Sequence, residues 1–198
     1  NKKLNALDIG AFGGFNIDNS FESKYNKYFE PILVEPNPEE ARKLLKNYKF
    51  VIDKGLWSKE CNKKLYFSKS VGGTSMYQPD KKAFKLYYND ADYIKSYDTI
   101  KTIDVECTTI SKSLNQLSID SLDYLKIDVE GGELEVLKGI GNYCPLLMKI
   151  EMLTFNLYER MPHWGETLNF INNLGYMSCS WENFGSHVTR SPIALDMI

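Results

Sequence analysis

The chain reads as short apolar runs, each ending in small or acidic residues, separated by stretches with helical spacing. Ala6-Leu-Asp-Ile-Gly10 is the first run and Pro31-Ile-Leu-Val-Glu35 the second. The period then changes: Ala41, Leu44, Leu45 and Tyr48 recur at helical spacing. Asn37 suits the N-cap of that helix, Pro38 its first turn, and Glu40 the far side of a capping box. Phe50-Val-Ile-Asp53 is a third strand and leads into Gly55-Leu-Trp-Ser58. Lys64-Leu-Tyr-Phe67 reads as an extra strand, and Ile103 to Ile110 alternates as another. Tyr124 to Asp128 reads as a buried strand, Leu134 to Ile140 as a helix, and Cys144 to Glu151 as the next strand. Thr167 to Leu174 is helical, with Gly175 as its stop. Tyr176 to Trp181 and Pro192 to Ile198 read as two closing strands. Strands alternating with helices predict a doubly wound α/β domain whose mainly parallel sheet is covered on both faces.

The first chemical signal is Asp8-Ile-Gly-Ala-Phe-Gly-Gly14, between a strand and an expected helix. Glycines there let the backbone turn tightly and approach a ligand closely. Glu35 ends the next strand, where an acid binds ribose hydroxyls in such sheets. Together they suggest an adenosine-bearing cofactor. The glycines are Gly10, Gly13 and Gly14, which is not the Gly-x-Gly-x-x-Gly spacing that admits a dinucleotide pyrophosphate. An acid before the first glycine, Asp8, suits a cofactor with an ammonium group, which favours S-adenosylmethionine.

The second signal is Tyr124-Leu-Lys-Ile-Asp-Val-Glu-Gly-Gly-Glu-Leu-Glu-Val-Leu-Lys-Gly139. It reads as a buried strand, a turn at Gly131-Gly132 and an amphipathic helix. Asp128 and Glu130 stand where strand hands over to helix, and ligands bind outside the carboxyl ends of parallel strands. Lys126-Ile-Asp128 is echoed by Lys149-Ile-Glu151, and residues two apart on a strand share a face. Such a grouping is either an ion-pair network that closes the sheet edge or a device that holds an acceptor hydroxyl. Asp128 is the first candidate for the reacting centre. Glu130 is near it, or caps the following helix. Glu133 and Glu135 read as a solvated helix face. His163, in Arg160-Met-Pro-His-Trp-Gly165, is either a base that reaches the pocket or an exposed loop histidine. Asp128, Glu130 and Glu151 can also supply oxygen ligands to Mg²⁺. No spacing compels a metal site, so metal-independent transfer is expected.

These segments, with Leu7-Asp-Ile-Gly-Ala-Phe-Gly-Gly14, Leu33-Val-Glu-Pro-Asn-Pro38 and Gly55-Leu-Trp-Ser58, stand in the order found in the FkbM-type methyltransferases, which the chain resembles. The resemblance implies a class I methyltransferase (Rossmann-like) domain with a seven-stranded sheet in the order three-two-one-four-five-seven-six. It implies methyl transfer from S-adenosylmethionine to a sugar, glycoconjugate or natural-product hydroxyl, with S-adenosylhomocysteine as product. The catalytic residues are then expected among Asp128, Glu130, Glu151, Lys126 and His163. The cofactor contacts it implies are Asp8, Gly10, Ala11, Phe12, Gly14, Glu35, Pro36, Leu56, Ser75 and Asp128. Leu56 would pack on the adenine, or simply in the core. Ser75, in Gly72-Gly-Thr-Ser-Met76, would stand near the cofactor, or be a plain loop serine. Phe12 departs from the small or amide residue usual in that turn.

Residues 77–97 carry Tyr77, Phe84, Tyr87, Tyr88, Tyr93 and Tyr97. Flat rings with hydroxyls suit carbohydrate or aromatic acceptors. The expected organisation is one domain over residues 1–198, with this insert, about 77–100, as a lid. A packed helical hairpin with the rings as core is the alternative.

Composition narrows the rest. With 198 residues, 43% apolar and 25% charged, one globular domain is expected. The net charge of −2 gives no footprint for nucleic acid or an anionic membrane. No apolar run approaches the roughly 20 residues that span a bilayer, and no secretory signal is visible. Cys61, Cys107, Cys144 and Cys179 form no Cys-x-x-Cys pair, and the two histidines lie far apart. Reduced thiols in a cytoplasmic protein are expected, without zinc. The partner that the resemblance implies is a small-molecule or glycan acceptor. An N-methyltransferase and a non-catalytic cofactor-binding or scaffold module are the alternatives. An NAD-dependent oxidoreductase is disfavoured by the glycine spacing.

Overall fold

In the computed structural model, residues 2–16, 22–183 and 194–197 are described. The strands are β1 (Leu4–Ile9), β2 (Phe29–Val34), β3 (Phe50–Ile52), β4 (Gly55–Leu56), β5 (Cys61–Ser68), β6 (Thr99–Thr108), β7 (Tyr124–Ile127), β8 (Leu147–Leu153), β9 (Trp181–Asn183) and β10 (Ala194–Met197). The α-helices are α1 (Pro38–Leu44), α2 (Lys81–Tyr87), α3 (Ala91–Ser96), α4 (Ile110–Gln116), α5 (Glu133–Lys138) and α6 (Trp164–Asn173).

The main sheet runs β3-β2-β1-β7-β8-β10-β9. Numbered within this sheet alone, its strands follow the order three-two-one-four-five-seven-six. Its parallel part is five strands, β3 to β8, so fewer than seven strands run parallel. β10 is antiparallel to both β8 and β9. A small second sheet, β4-β6-β5, pairs Gly55 with Cys107 in parallel. The fold is a Rossmann-like α/β domain. No described helix is long and apolar enough to cross a membrane.

Several elements differ from the sequence reading, each for a local reason. The turn after β1 is followed among the described residues by a 3₁₀ helix, Ser23–Tyr28, and not by the expected α-helix. Glu40 completes no capping box. Asn37 Oδ1 accepts the Glu39 amide at 3.1 Å, while Glu40 turns away to the Gly13 amide and Lys43. β6 stops at Thr108, because the Thr109 hydroxyl accepts the Lys112 amide at 3.1 Å and starts α4. Thr109 is β-branched and suits a strand pattern, so periodicity alone carries the strand too far. The penultimate strand begins at Trp181, and 176–180 are irregular. Pro192, Ile193 and Ile198 lie outside the described residues.

The chain divides into two compact units. The first comprises Asn1–Cys61, Val105–Asp128 and Glu135–Lys149, and the second Asn62–Asp104, Val129–Leu134 and Ile150–Ile198. In the first, Ala6, Leu7, Ile32, Leu33, Leu125 and Ile127 are fully buried. In the second, Phe84, Tyr88, Leu153, Leu157, Tyr158 and Met161 form a core, with Tyr77, Tyr87, Tyr93, Tyr97 and Phe155 packed on it. The insert is thus two short helices, α2 and α3, each started by an aspartate cap. Asp80 takes the Lys82 amide at 2.8 Å and Asp90 the Asp92 amide at 2.9 Å. Its rings are core: Phe84 meets Tyr97 at 4.6 Å and Tyr87 stacks on Phe155 at 4.0 Å between centroids.

Candidate active site

In the first unit, the turn after β1 is held by three neighbours. The amides of Gly10 and Ala11 both donate to the Val34 carbonyl at 3.2 Å. The Gly13 amide donates to Glu40 at 3.3 Å. The Asp128 amide donates to the Ile9 carbonyl at 3.0 Å, extending the β1–β7 ladder by one residue. Gly10 has a φ of +87°, and a Cβ there would lie 1.9 Å from the Asp128 carbonyl oxygen. Only glycine fits this close approach of two backbones. Gly14 has a φ of +122°, with the Tyr48 hydroxyl 2.7 Å from where its Cβ would stand. Ala11 is fully buried, whereas Phe12 is exposed on the turn.

Beneath this turn lies a charged triad. Asp8 and Lys126 are register partners across β1 and β7. The Lys126 ammonium stands 3.4 Å from Asp8 and 3.3 Å from Asp128. Asp8 and Lys126 are almost wholly buried, while the Asp128 side chain keeps 34% of its exposure. Burial of charge is tolerated because the partners share it. The expected pairing of Lys126 with Asp128 is present, and Asp8 joins it. Strand adjacency creates that third contact, and the sequence alone does not signal it.

Glu35 follows β2 and is buried. One of its oxygens accepts the Asn37 amide at 2.8 Å. Burial pushes its carboxyl up to about 7, opposed by that hydrogen bond and assisted by nearby Glu40. Pro36 beside it is half-buried, and Leu56 in β4 is buried. Lys149 is buried within β8.

The second unit carries the other sequence candidates. Glu130 has a φ of +57°. Its carbonyl accepts from the Ser75 hydroxyl at 2.7 Å and its carboxylate from Tyr158 at 2.9 Å. The Ser75 hydroxyl also accepts the Tyr77 amide at 3.0 Å, so it is engaged inside this unit. Glu130 and Glu151 present carboxylate oxygens within 4.8 Å of one another. Burial first, and the charge of Glu130 second, raise the Tyr97 and Tyr158 hydroxyls well above the usual phenol range. Both therefore stay protonated donors. Glu133 does not lie on a solvated face: it is buried and accepts the Gly131 amide at 3.0 Å and the Val129 amide at 3.3 Å. Glu135, in the first unit, is half-buried and accepts from Ser58 at 2.7 Å. His163 is exposed and caps α6, its Nδ1 accepting the Gly165 amide at 3.1 Å, with Glu166 closing a capping box. Tyr158 was not singled out by the sequence, because it stands in an irregular stretch with no periodic signal.

No curated protein and no solved structure matches the chain. Residues 8–177 match the family described as the methyltransferase FkbM domain, a span that runs from Asp8 through the triad, Glu35 and Glu130 to just beyond α6. The chain belongs to the FkbM methyltransferase family.

Proposed function

We propose that the chain is an S-adenosylmethionine-dependent O-methyltransferase acting on a sugar, glycoconjugate or natural-product hydroxyl. The observation that carries this reading is the turn after β1, closed on Asp128, with buried Glu35 at the end of the next strand. These residues fit a cation that bears a ribose. Glu35 is acceptor-only when ionised, and burial raises its pKa, so it would be stabilised by further donors. Two ribose hydroxyls would supply them. Bound there, the cofactor supplies an electrophilic methyl group on a positively charged sulfur.

The protein's own work is then positioning and proton handling. As the acceptor oxygen forms its bond to carbon, the carbon–sulfur bond breaks and the hydroxyl proton must leave. We assign its reception to Asp128, the most exposed member of the triad, whose other duty is to face Lys126. Lys126, itself held by Asp8, orients Asp128. The close pair Glu130 and Glu151 supports a second reading, N-methylation of an amine: two carboxylates attract its ammonium, and one of them would take the proton that must leave before the nitrogen lone pair can accept the methyl group.

The test is transfer of a tritiated methyl group from the cofactor to a panel of glycosides and amines, with the linked atom identified in the product. Asp128→Asn should lower turnover about 10²–10⁴-fold while the fold survives, and EDTA should change nothing. Near-wild-type turnover by the Asn variant would end the case for Asp128, and activity lost to EDTA and restored by Mg²⁺ would establish a metal role.

A further inference from the structure

Glu130 sits in the left-handed region with a φ of +57°, which L-residues other than glycine avoid because Cβ crowds the following carbonyl. Gly131, next in the chain, has a φ of +96° and makes its part of the turn without that cost. A turn that needed only to connect β7 to α5 would be better served by glycine at both positions. Strain of this kind persists where surrounding groups over-determine it, and it gathers at functional sites.

Two buried donors over-determine it here, from 55 and 28 residues away in sequence. Ser75 is fully buried and fixed by a two-way backbone bridge to Tyr66, at 2.8 and 3.1 Å. Its hydroxyl holds the Glu130 carbonyl. Tyr158 is likewise fully buried, bridged to Pro79 and packed edge-on to Phe84 at 6.1 Å. Its hydroxyl holds one oxygen of the Glu130 carboxylate. One donor therefore fixes the strained backbone and the other fixes the side chain it presents.

We propose that Ser75 and Tyr158 are positioning residues that clamp Glu130 in its left-handed conformation so that its carboxylate meets the acceptor. This rests on the acceptor reading above. Ser75 thereby gains a role distinct from cofactor contact, and Tyr158 gains one that its place in an aromatic core conceals.

Unfolding tests the clamp without any acceptor. In a Tyr158→Phe background, where no buried hydroxyl is left without a partner, Glu130→Gly should raise the melting temperature by about 2–4 °C through relief of strain. In Ser75→Ala/Tyr158→Phe, the backbone chemical shifts of Glu130 should leave the left-handed range. A lower melting temperature, or unmoved shifts, would overturn the clamp. Turnover on p-nitrophenyl glycosides tests its purpose. Tyr158→Phe and Glu130→Gln should each cost about a hundredfold in kcat with the cofactor KM unchanged, and the double variant should be no worse than Glu130→Gln. Independent, multiplying losses would overturn the positioning role. If the wild type methylates no glycoside, the acceptor reading fails, while unfolding and chemical shifts still decide whether Glu130 is clamped.

Discussion

In the first unit the charged groups are placed by backbone, and in the second by side chains. Asp8, Lys126 and Asp128 face one another because β1 and β7 pair in parallel with Asp8 opposite Lys126. Glu35 ends β2, and Gly10 lets the turn close on Asp128. Each position follows from where a strand stops. Glu130 owes its position instead to Ser75 and Tyr158, and Tyr158 owes its own to the ring cluster around Phe84. Strand-end placement is set once the sheet forms. Side-chain placement depends on packing, which can be altered one residue at a time. On the reading proposed above, the first arrangement holds the cofactor and the second meets the acceptor.

The largest expected effect tests the backbone side of this contrast. Gly10→Ala sets a methyl against the Asp128 carbonyl at a φ of +87°. It should destabilise the protein by more than about 2 kcal/mol, read as a lower urea midpoint with an unchanged slope. Wild-type stability would mean that the turn and the end of β7 do not meet as described.

Glu35 supplies the next effect. Its folded carboxyl is raised from 4.5 to about 7, so the folded state holds its proton more tightly than the unfolded chain. Its contribution to stability is complete below about 4.5 and is lost as pH rises through about 7. The loss is at most on the order of 3 kcal/mol. Urea unfolding between pH 4.5 and 8 should show this decline in the wild type and not in Glu35→Gln. Parallel profiles for the two proteins would remove the buried, donor-poor carboxylate from the account.

The smallest effect compares the units directly. Helices α2 and α3 are short, and α3 buries no residue fully. Their amides should exchange at least about tenfold faster than those of β7. If the insert closes over bound acceptor, they should slow when S-adenosylhomocysteine and acceptor are both present. Protection equal to β7 in the free protein would make the insert a fixed wall.

What the sequence discloses follows the same division. The apolar runs mark the parallel strands because strands buried on both faces read as continuous apolar stretches. Asn37 declares the start of α1, since an Asn-Pro pair before helical spacing has one economical use. The glycine turn and Glu35 are legible because they sit at run ends. The Asp8–Lys126 contact is not, because it depends on which strands become neighbours. Glu40 reads as a cap and instead ties down Gly13, a choice made by a turn 27 residues earlier. The clamp on Glu130 is invisible for the same reason: Ser75 and Tyr158 lie on loops whose spacing carries no period. A tyrosine-rich insert signals aromatic packing or aromatic recognition equally well in sequence, and only the ring contacts show that Phe84 and Tyr88 are core.

The central claim is that the first unit holds S-adenosylmethionine through the turn after β1 and Glu35. Calorimetric titration with S-adenosylhomocysteine tests it most directly. Loss of hydrogen bonds to a charged group costs about 1.5–3 kcal/mol, so Glu35→Ala should bind roughly tenfold to a hundredfold more weakly than the wild type, with NAD bound by neither. Equal affinity in the two proteins, or wild-type binding of NAD in place of S-adenosylhomocysteine, would contradict it.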